Sequence, residues 1–141
     1  YDKRKDISIG YQGSNPVLNK YCSGDAGRDP IYIVRLAEMY LISAECKGLQ
    51  NGIDRLNELR LFRGLDRLNP SNEEEFIDAI LNERRLELLG EGFRWFDLVR
   101  CGKYESTVGV EEKYTILPIP ARELSLNNNL RQHPLWQAKM P

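Results

Sequence analysis

Glu83 and Glu87 stand four residues apart in "ERRLELLGEGFRWFDLVR", residues 83–100, with Arg84 and Arg85 between them. Two carboxylates at that spacing share one face of a helix and could flank a glycosidic bond. Such chemistry needs one of the two to stay protonated near neutral pH. Neighbouring guanidiniums act the other way and hold both ionised. The same string carries four acidic residues and four arginines among leucines and aromatics. At about 100° per residue, Glu83, Arg84 and Glu87 fall on or beside the face formed by Phe76, Ile77, Ile80, Leu81 and Leu88. Charges on such a face are buried, and a buried charge must be paired. The sequence supplies partners: Arg84 and Arg85 beside Glu83 and Glu87, and Arg94 beside Glu91 and Asp97, with Arg94–Asp97 at i, i+3. Arginine suits the role because its planar fork can give a carboxylate two bonds. Glu83, Arg84, Arg85, Glu87, Glu91, Arg94 and Asp97 are therefore read as structural ion pairs. A hydrolase using Glu83 and Glu87 is the rival reading.

Other chemistries find less support. Basic and acidic residues number 20 and 21, a net charge of -1, so no strong field draws in nucleic acid or an anionic membrane. The arginines alternate with acids, which cancels a local basic patch. One histidine, His133, and three scattered cysteines, Cys22, Cys46 and Cys101, offer no zinc spacing and no disulfide framework. There is no GxSxG, no phosphate loop and no GxGxxG. No catalytic residue, metal or cofactor is assigned.

The elements that must position the charged run are helical. Residues 33–47 place Ile33, Leu36, Ala37, Tyr40, Leu41 and Ala44 on one stripe. Met39, Ile42 and Cys46 form a second seam on roughly the opposite side, the pattern of a helix with neighbours on both sides. Gly48 stops it. A second helix over about 52–63, lined by Leu49, Ile53, Leu56 and Leu59, follows after a few residues, which makes an antiparallel helix hairpin. "NPSNEEEF" starts a third helix over about 72–89, with Ser71 as N-cap and Glu74 at the third position of a capping box. A fourth covers about 92–100. Residues 1–30 read as irregular, with an extended stretch around Ile7–Tyr11. After Cys101 the chain is extended around two prolines, with a helical turn at Pro120 and a turn at Asn127–Asn129. With 141 residues, 41% of them hydrophobic, the whole reads as one helical domain over 1–141.

Three strings carry a resemblance: "IVRLAEMYLISAE" at 33–45, "ERRLELLGEGFRWFDLVR" at 83–100 and "KYTILPIPARELSLNNNLRQHPLW" at 113–136. With "LNELR" at 56–60, Arg63-Gly64, "YDKR" at 1–4 and "KY" at 20–21, their order resembles the carboxy-terminal part of the SusD/RagB family. That resemblance implies an all-α fold of tetratricopeptide-like helix hairpins with long irregular N- and C-terminal segments. It implies a surface lipoprotein of the outer membrane that binds glycans or other nutrients without catalysis. It also implies a partner, a TonB-dependent (SusC-like) transporter. Family members are several times longer, and Cys22 does not replace their lipid-bearing amino-terminal cysteine, so the chain reads as a carboxy-terminal fragment. Sugar rings stack on exposed aromatics, and loops carry binding more often than helices. Tyr11 and Tyr21, chosen over Tyr1, Tyr32, Tyr104 and Trp136, are the expected ligand contacts. A generic helical scaffold that binds a protein partner is the alternative.

Overall fold

The structure is a computed structural model that describes residues 1–21 and 33–137. Cys22 and Tyr32 lie outside the described residues. Compact packing divides the chain into two units, Tyr1–Asp97 and Leu98–Pro141.

The first unit begins with a single turn of helix, α1 (Lys5–Ser8), and an antiparallel ribbon of β1 (Ile9–Gln12) and β2 (Asn15–Leu18). The amino-terminal segment is thus more ordered than its composition suggests. Gly13 takes a positive φ of 65° between the strands, and Pro16 is tolerated because a two-stranded ribbon has only edge strands.

The long helix α2 (Leu36–Phe62) is two helices broken at Gly48, whose φ of 67° and ψ of 177° suit glycine alone. The halves run back on each other. Gly52 sits against Ala44, the Tyr40 hydroxyl donates to Glu58 at 3.3 Å, and Leu36 shares a cleft with Phe62. That pairing of rising with falling residue numbers is an antiparallel hairpin. A Cβ on Gly52 would lie 2.0 Å from the Ala44 carbonyl oxygen, so a bare backbone lets the halves touch. Helix α3 (Glu73–Glu87) closes the core, in which Ala37, Leu41, Ala44, Leu56, Leu59, Phe76 and Ile80 are buried together.

Two local expectations shift. The first helix starts at Leu36, so Ile33 precedes it and Leu36 at its first turn stays 74% exposed. The N-cap of α3 is Asn72, one residue later than Ser71. Its Oδ1 accepts from the Glu75 backbone N–H at 2.9 Å, and the Glu75 carboxylate accepts from the Ser71 N–H at 2.7 Å. The cap slides by one position, because Asn caps as well as Ser and Glu75 replaces Glu74 at N3, and the return bond from Glu75 goes to the backbone N–H of Ser71, one residue before the cap.

Helix α4 (Arg94–Arg100) crosses the boundary between the units. The second unit holds α5 (Tyr104–Val108), a 3-10 turn (Glu112–Thr115), α6 (Ala121–Leu126) and α7 (Pro134–Gln137). Gln132 acts as a backbone surrogate there: its Oε1 accepts from the Ile119 N–H at 3.1 Å and its Nε2 donates to the Ile119 carbonyl at 2.9 Å. Trp136 Nε1 donates to the Ile116 carbonyl at 2.8 Å, and the Trp136 ring meets Tyr114 edge-on. These bonds fasten the tail to the proline-containing stretch, which has no ladder of its own. No described helix is long and apolar enough to cross a membrane.

Candidate functional site

The charged run forms a ladder. Glu83 and Glu87 project from α3 at a spacing of four, and Glu91 continues the series just past its end. Glu83 and Glu87 are buried. The main partners of all three come from elsewhere in the first unit. Arg60 from the second half of α2 meets Glu83 Oε2 at 2.6 Å. Arg4 Nη1 lies 2.6 Å from Glu83 Oε1 and 3.3 Å from Glu87 Oε2. The first of these is a charge contact without a well-aligned N–H, because Glu83 Oε1 has no hydrogen-bond donor in line. Arg63 grips Glu87 with both arms of its fork, at 3.0 and 2.7 Å. Arg35 gives Nη1 to Glu87 at 3.0 Å and two bonds to Glu91, at 3.0 and 2.8 Å. Lys20 reaches Glu91 and the Glu87 carbonyl, each at 2.7 Å. Asp2 holds Arg4 from the other side through bonds of 2.9, 3.2 and 2.7 Å.

Five cationic groups (Arg4, Lys20, Arg35, Arg60, Arg63) thus face four carboxylates (Asp2, Glu83, Glu87, Glu91). The electrostatics follow. Burial alone would raise the Glu87 carboxyl, but Arg63 and Arg35 outweigh it and hold it below the ordinary carboxylate range. Burial would likewise lower Arg4, yet Asp2 and Glu83 carry it above the usual arginine value. Arg35 is raised against the same penalty by Glu91 and Glu87. Asp2 is lowered, chiefly by its bonds to Arg4. Glu87, held ionised by its guanidiniums, is therefore not a proton donor near neutrality.

The partners read from the sequence are placed differently. Arg84 pairs with Asp97 at 2.7 Å and stacks over Phe93, while Arg94 donates to the Leu81 carbonyl instead of to Asp97. Arg85 points outward and bonds Asn82. The reason is geometric: Arg85 follows Arg84 by about 100° and so leaves the face that carries Glu83 and Glu87. The guanidiniums that fill the gap lie up to 83 residues away in the chain, and no local spacing announces them.

Tyr11 is 65% exposed on β1, opposite Pro16 and near the ribbon's turn. Tyr21 is half-buried beyond the other end of the ribbon and has a partner within the chain. Cys46 is exposed and Cys101 half-buried, and neither is in a disulfide. Among the described residues no group of three or more histidine, cysteine, aspartate or glutamate side chains is arranged to hold a metal ion.

A model of the SusD family matches residues 16–115. The chain belongs to the SusD family. Among its relatives, SusD-like protein P38 of Formosa agariphila is 35% identical over 73% of this chain and 24% of its own length. SusD-like protein P25 of the same organism is 28% identical over 86% of this chain and 28% of its own. A solved structure titled "Laminarin binding SusD-like protein" superposes with a TM-score of 0.69 at 34% identity, covering 89% of this chain and 30% of that one. The chain therefore spans about a quarter to a third of the SusD-family proteins it matches. Its mostly helical architecture, with one short ribbon and long non-helical stretches near both termini, agrees with that membership.

Proposed function

We propose that this chain is the helical carboxy-terminal part of a longer, non-enzymatic glycan-binding protein of the outer-membrane surface. The intact protein is anchored by lipid and passes its ligand to a TonB-dependent, SusC-like transporter. The observation that carries this reading is the combined sequence and structural match to a laminarin-binding SusD-like protein. Laminarin is accordingly the first saccharide to try. Pairing of Glu83 and Glu87 with guanidiniums supports a scaffold role for both and speaks against the hydrolase reading. The partial length supports placing most ligand contacts outside this chain. Tyr11, exposed on the ribbon, is the contact this chain would contribute, with Tyr21 second.

The test is a glycan-binding screen on the intact protein, laminarin included, run beside an assay for released reducing ends. Saturable retention of a saccharide without cleavage, together with co-purification of a barrel transporter, is the expected result. Cleavage that vanishes in Glu87→Gln would reject the reading. So would retention of no saccharide. Tyr11→Ala plus Tyr21→Ala should weaken retention severalfold, and unchanged affinity would remove both residues from the site.

A further inference from the structure

A second cluster of arginines lies outside the ladder. Where α3 gives way to α4, a cleft of about 340 Å³ is lined by Arg84, Arg85, Leu88, Arg94, Trp95 and Asp97. The chain turns there through Gly90 and Gly92, both at positive φ, and nothing lies within 4 Å of where a Cβ on Gly92 would sit. The Arg84–Asp97 bond of 2.7 Å ties α3 to α4 across the cleft and uses its one carboxylate. Arg94 is half-buried, and its Nη1 is fixed to the Leu81 carbonyl at 3.2 Å. Arg85 is exposed and gives one bond to Asn82. Neither Arg85 nor Arg94 makes an ion pair among the described residues. A guanidinium carries five N–H donors, so most of both forks is uncommitted. Three guanidiniums against one carboxylate leave a local surplus of positive charge in a chain whose net charge is -1.

We propose that this cleft is a subsite for a sugar residue bearing a fixed negative charge, a uronate carboxylate or a sulfate ester, with the anion on Arg85 and Arg94 and the ring against Trp95. The proposal rests on the glycan-binding reading and adds to it a site and a class of saccharide. Charge selects the occupant: a neutral sugar would leave both guanidiniums without a counterion. A guanidinium fork meets two oxygens of one oxyanion at once, which a lysine cannot do. The bond from Arg94 to Leu81 and the tie between Arg84 and Asp97 hold the walls in place beforehand, so little ordering is needed on binding. The indole of Trp95 supplies a flat apolar surface of the kind that covers one face of a pyranose. The cleft lies at the small end of ligand sites, which run from about 300 to 1,000 Å³, so it has room for a sugar unit and not for a helix. The other arginines of the first unit that could extend it, Arg4, Arg35, Arg60 and Arg63, are spent on carboxylates. No basic track therefore leads away from the cleft for a nucleic-acid backbone to follow.

The experiment titrates the intact protein calorimetrically with oligogalacturonate, oligomannuronate and a sulfated galactan oligosaccharide, each beside its carboxyl-reduced or desulfated form. Laminarin and a hexaglutamate peptide are run in parallel. At least one acidic oligosaccharide should bind about tenfold or more tightly than its neutral form, and the advantage should shrink as salt rises from about 50 to about 500 mM. Which probe shows it separates the carboxylate from the sulfate. Arg94→Ala and Arg85→Glu should each remove about tenfold or more of that affinity, the loss of a charge-assisted contact. Arg85 is exposed with a single side-chain bond, so Arg85→Glu keeps the test decisive if Arg94→Ala disturbs the fold. Equal affinity for the acidic and neutral forms, or undiminished affinity in Arg85→Glu, would overturn the proposal. Hexaglutamate that binds as tightly as the best acidic oligosaccharide, and is lost in Arg85→Glu, would overturn it too by giving the cleft to an acidic protein segment. Binding of laminarin alone would remove this subsite and leave the glycan-binding function standing. Binding of no saccharide at all would remove that function, and the subsite would fall with it.

Discussion

Glu87→Gln is the substitution that probes the ladder most directly. The side chain is 2% exposed and three guanidiniums meet it, Arg63 at 2.7 Å, Arg35 at 3.0 Å and Arg4 at 3.3 Å. Glutamine keeps the shape but removes the charge and turns an amide N–H₂ toward a guanidinium. Arg35 retains Glu91, and Arg4 retains Asp2 and Glu83. Arg63 makes no second ion pair among the described residues, though Asp2 lies near enough to feel its charge, and it is left facing the neutral amide. Breaking one member of a buried ion pair costs about 3–5 kcal/mol, and the retained partners place this case near the lower end. A domain with roughly 5–15 kcal/mol in all would lose a large share of its stability. Urea unfolding of the intact protein, followed by tryptophan fluorescence, should show the midpoint falling by about 1–3 M for a slope of about 1–3 kcal/mol per M. Adding Arg63→Met should recover part of the loss, since it removes the guanidinium left uncompensated. A midpoint unchanged within about 0.3 M, by the same conversion, would refute the reasoning.

The same site fixes the sign of the pH dependence. The Glu87 carboxyl is held below its ordinary value of 4.5 in the folded state. A depressed carboxylate contributes stability that is fully present above the unfolded value and is lost as pH falls through the folded one. Asp2 is depressed from 3.8 and acts in the same direction. Stability should therefore be level through neutrality and decline on acidification below 4.5, less steeply in Glu87→Gln than in the wild type. Urea midpoints measured across that range decide it. The raised Arg4 and Arg35 would release their contribution only above the ordinary arginine range, beyond any working pH.

Four further substitutions test the packing. Gly52→Ala puts a methyl 2.0 Å from the Ala44 carbonyl oxygen, which forces the hairpin halves apart; a loss of about 1–3 kcal/mol in thermal or urea unfolding is expected. Asn72→Ala should cost about 1 kcal/mol by removing the cap on the Glu75 N–H, whereas Ser71→Ala, which keeps the backbone N–H bonded to Glu75, should be near neutral. Equal effects of the two would contradict the one-residue shift. Trp136→Phe deletes the bond to the Ile116 carbonyl; about 0.5–1.5 kcal/mol should be lost, seen as faster hydrogen exchange across residues 130–137.

The helices were legible in the sequence because their signals are local. The glycine at position 48, the apolar spacing of Leu56 and Leu59, and the acidic first turn of α3 each constrain a few neighbouring residues. The burial of Glu83 and Glu87 was legible for the same reason, as helical rotation places them beside Phe76 and Ile80. Their partners were not. A guanidinium reaches several ångströms from its backbone, and its target is set by tertiary packing, so Arg4, Arg60 and Arg63 carry no periodic mark that ties them to α3. Nearby arginines compete for those carboxylates in a reading by spacing, and Arg85 loses in space because it lies on another side of its helix. The ribbon of β1 and β2 was hidden by a different effect: four residues per strand give too little alternation to see. Gln132 was missed because a glutamine that imitates a backbone amide looks like any surface polar residue.

A ladder of carboxylates filled from four separate stretches of chain also bears on where the proposed binding would occur. Apolar side chains would accept many arrangements of the same hairpins, whereas a fork matched to a carboxylate accepts few. Residues 2–4, Lys20, Arg35 and residues 60–63 are each pinned to Glu83, Glu87 or Glu91, directly or through Arg4, so the amino-terminal arm and the start of the hairpin are fixed to α3 by charge as much as by the apolar core. These are also the richest polar groups of the first unit. Having been spent on one another, they are closed to a sugar's hydroxyls. If the intact protein binds a saccharide as proposed, the hydrogen bonds to it would come from groups outside the ladder, on the exposed ribbon, in the cleft beside Arg94 or in the remaining length of a SusD-family protein. The charged helix thus holds the frame, and under the proposed function recognition would fall to surfaces that the frame leaves free.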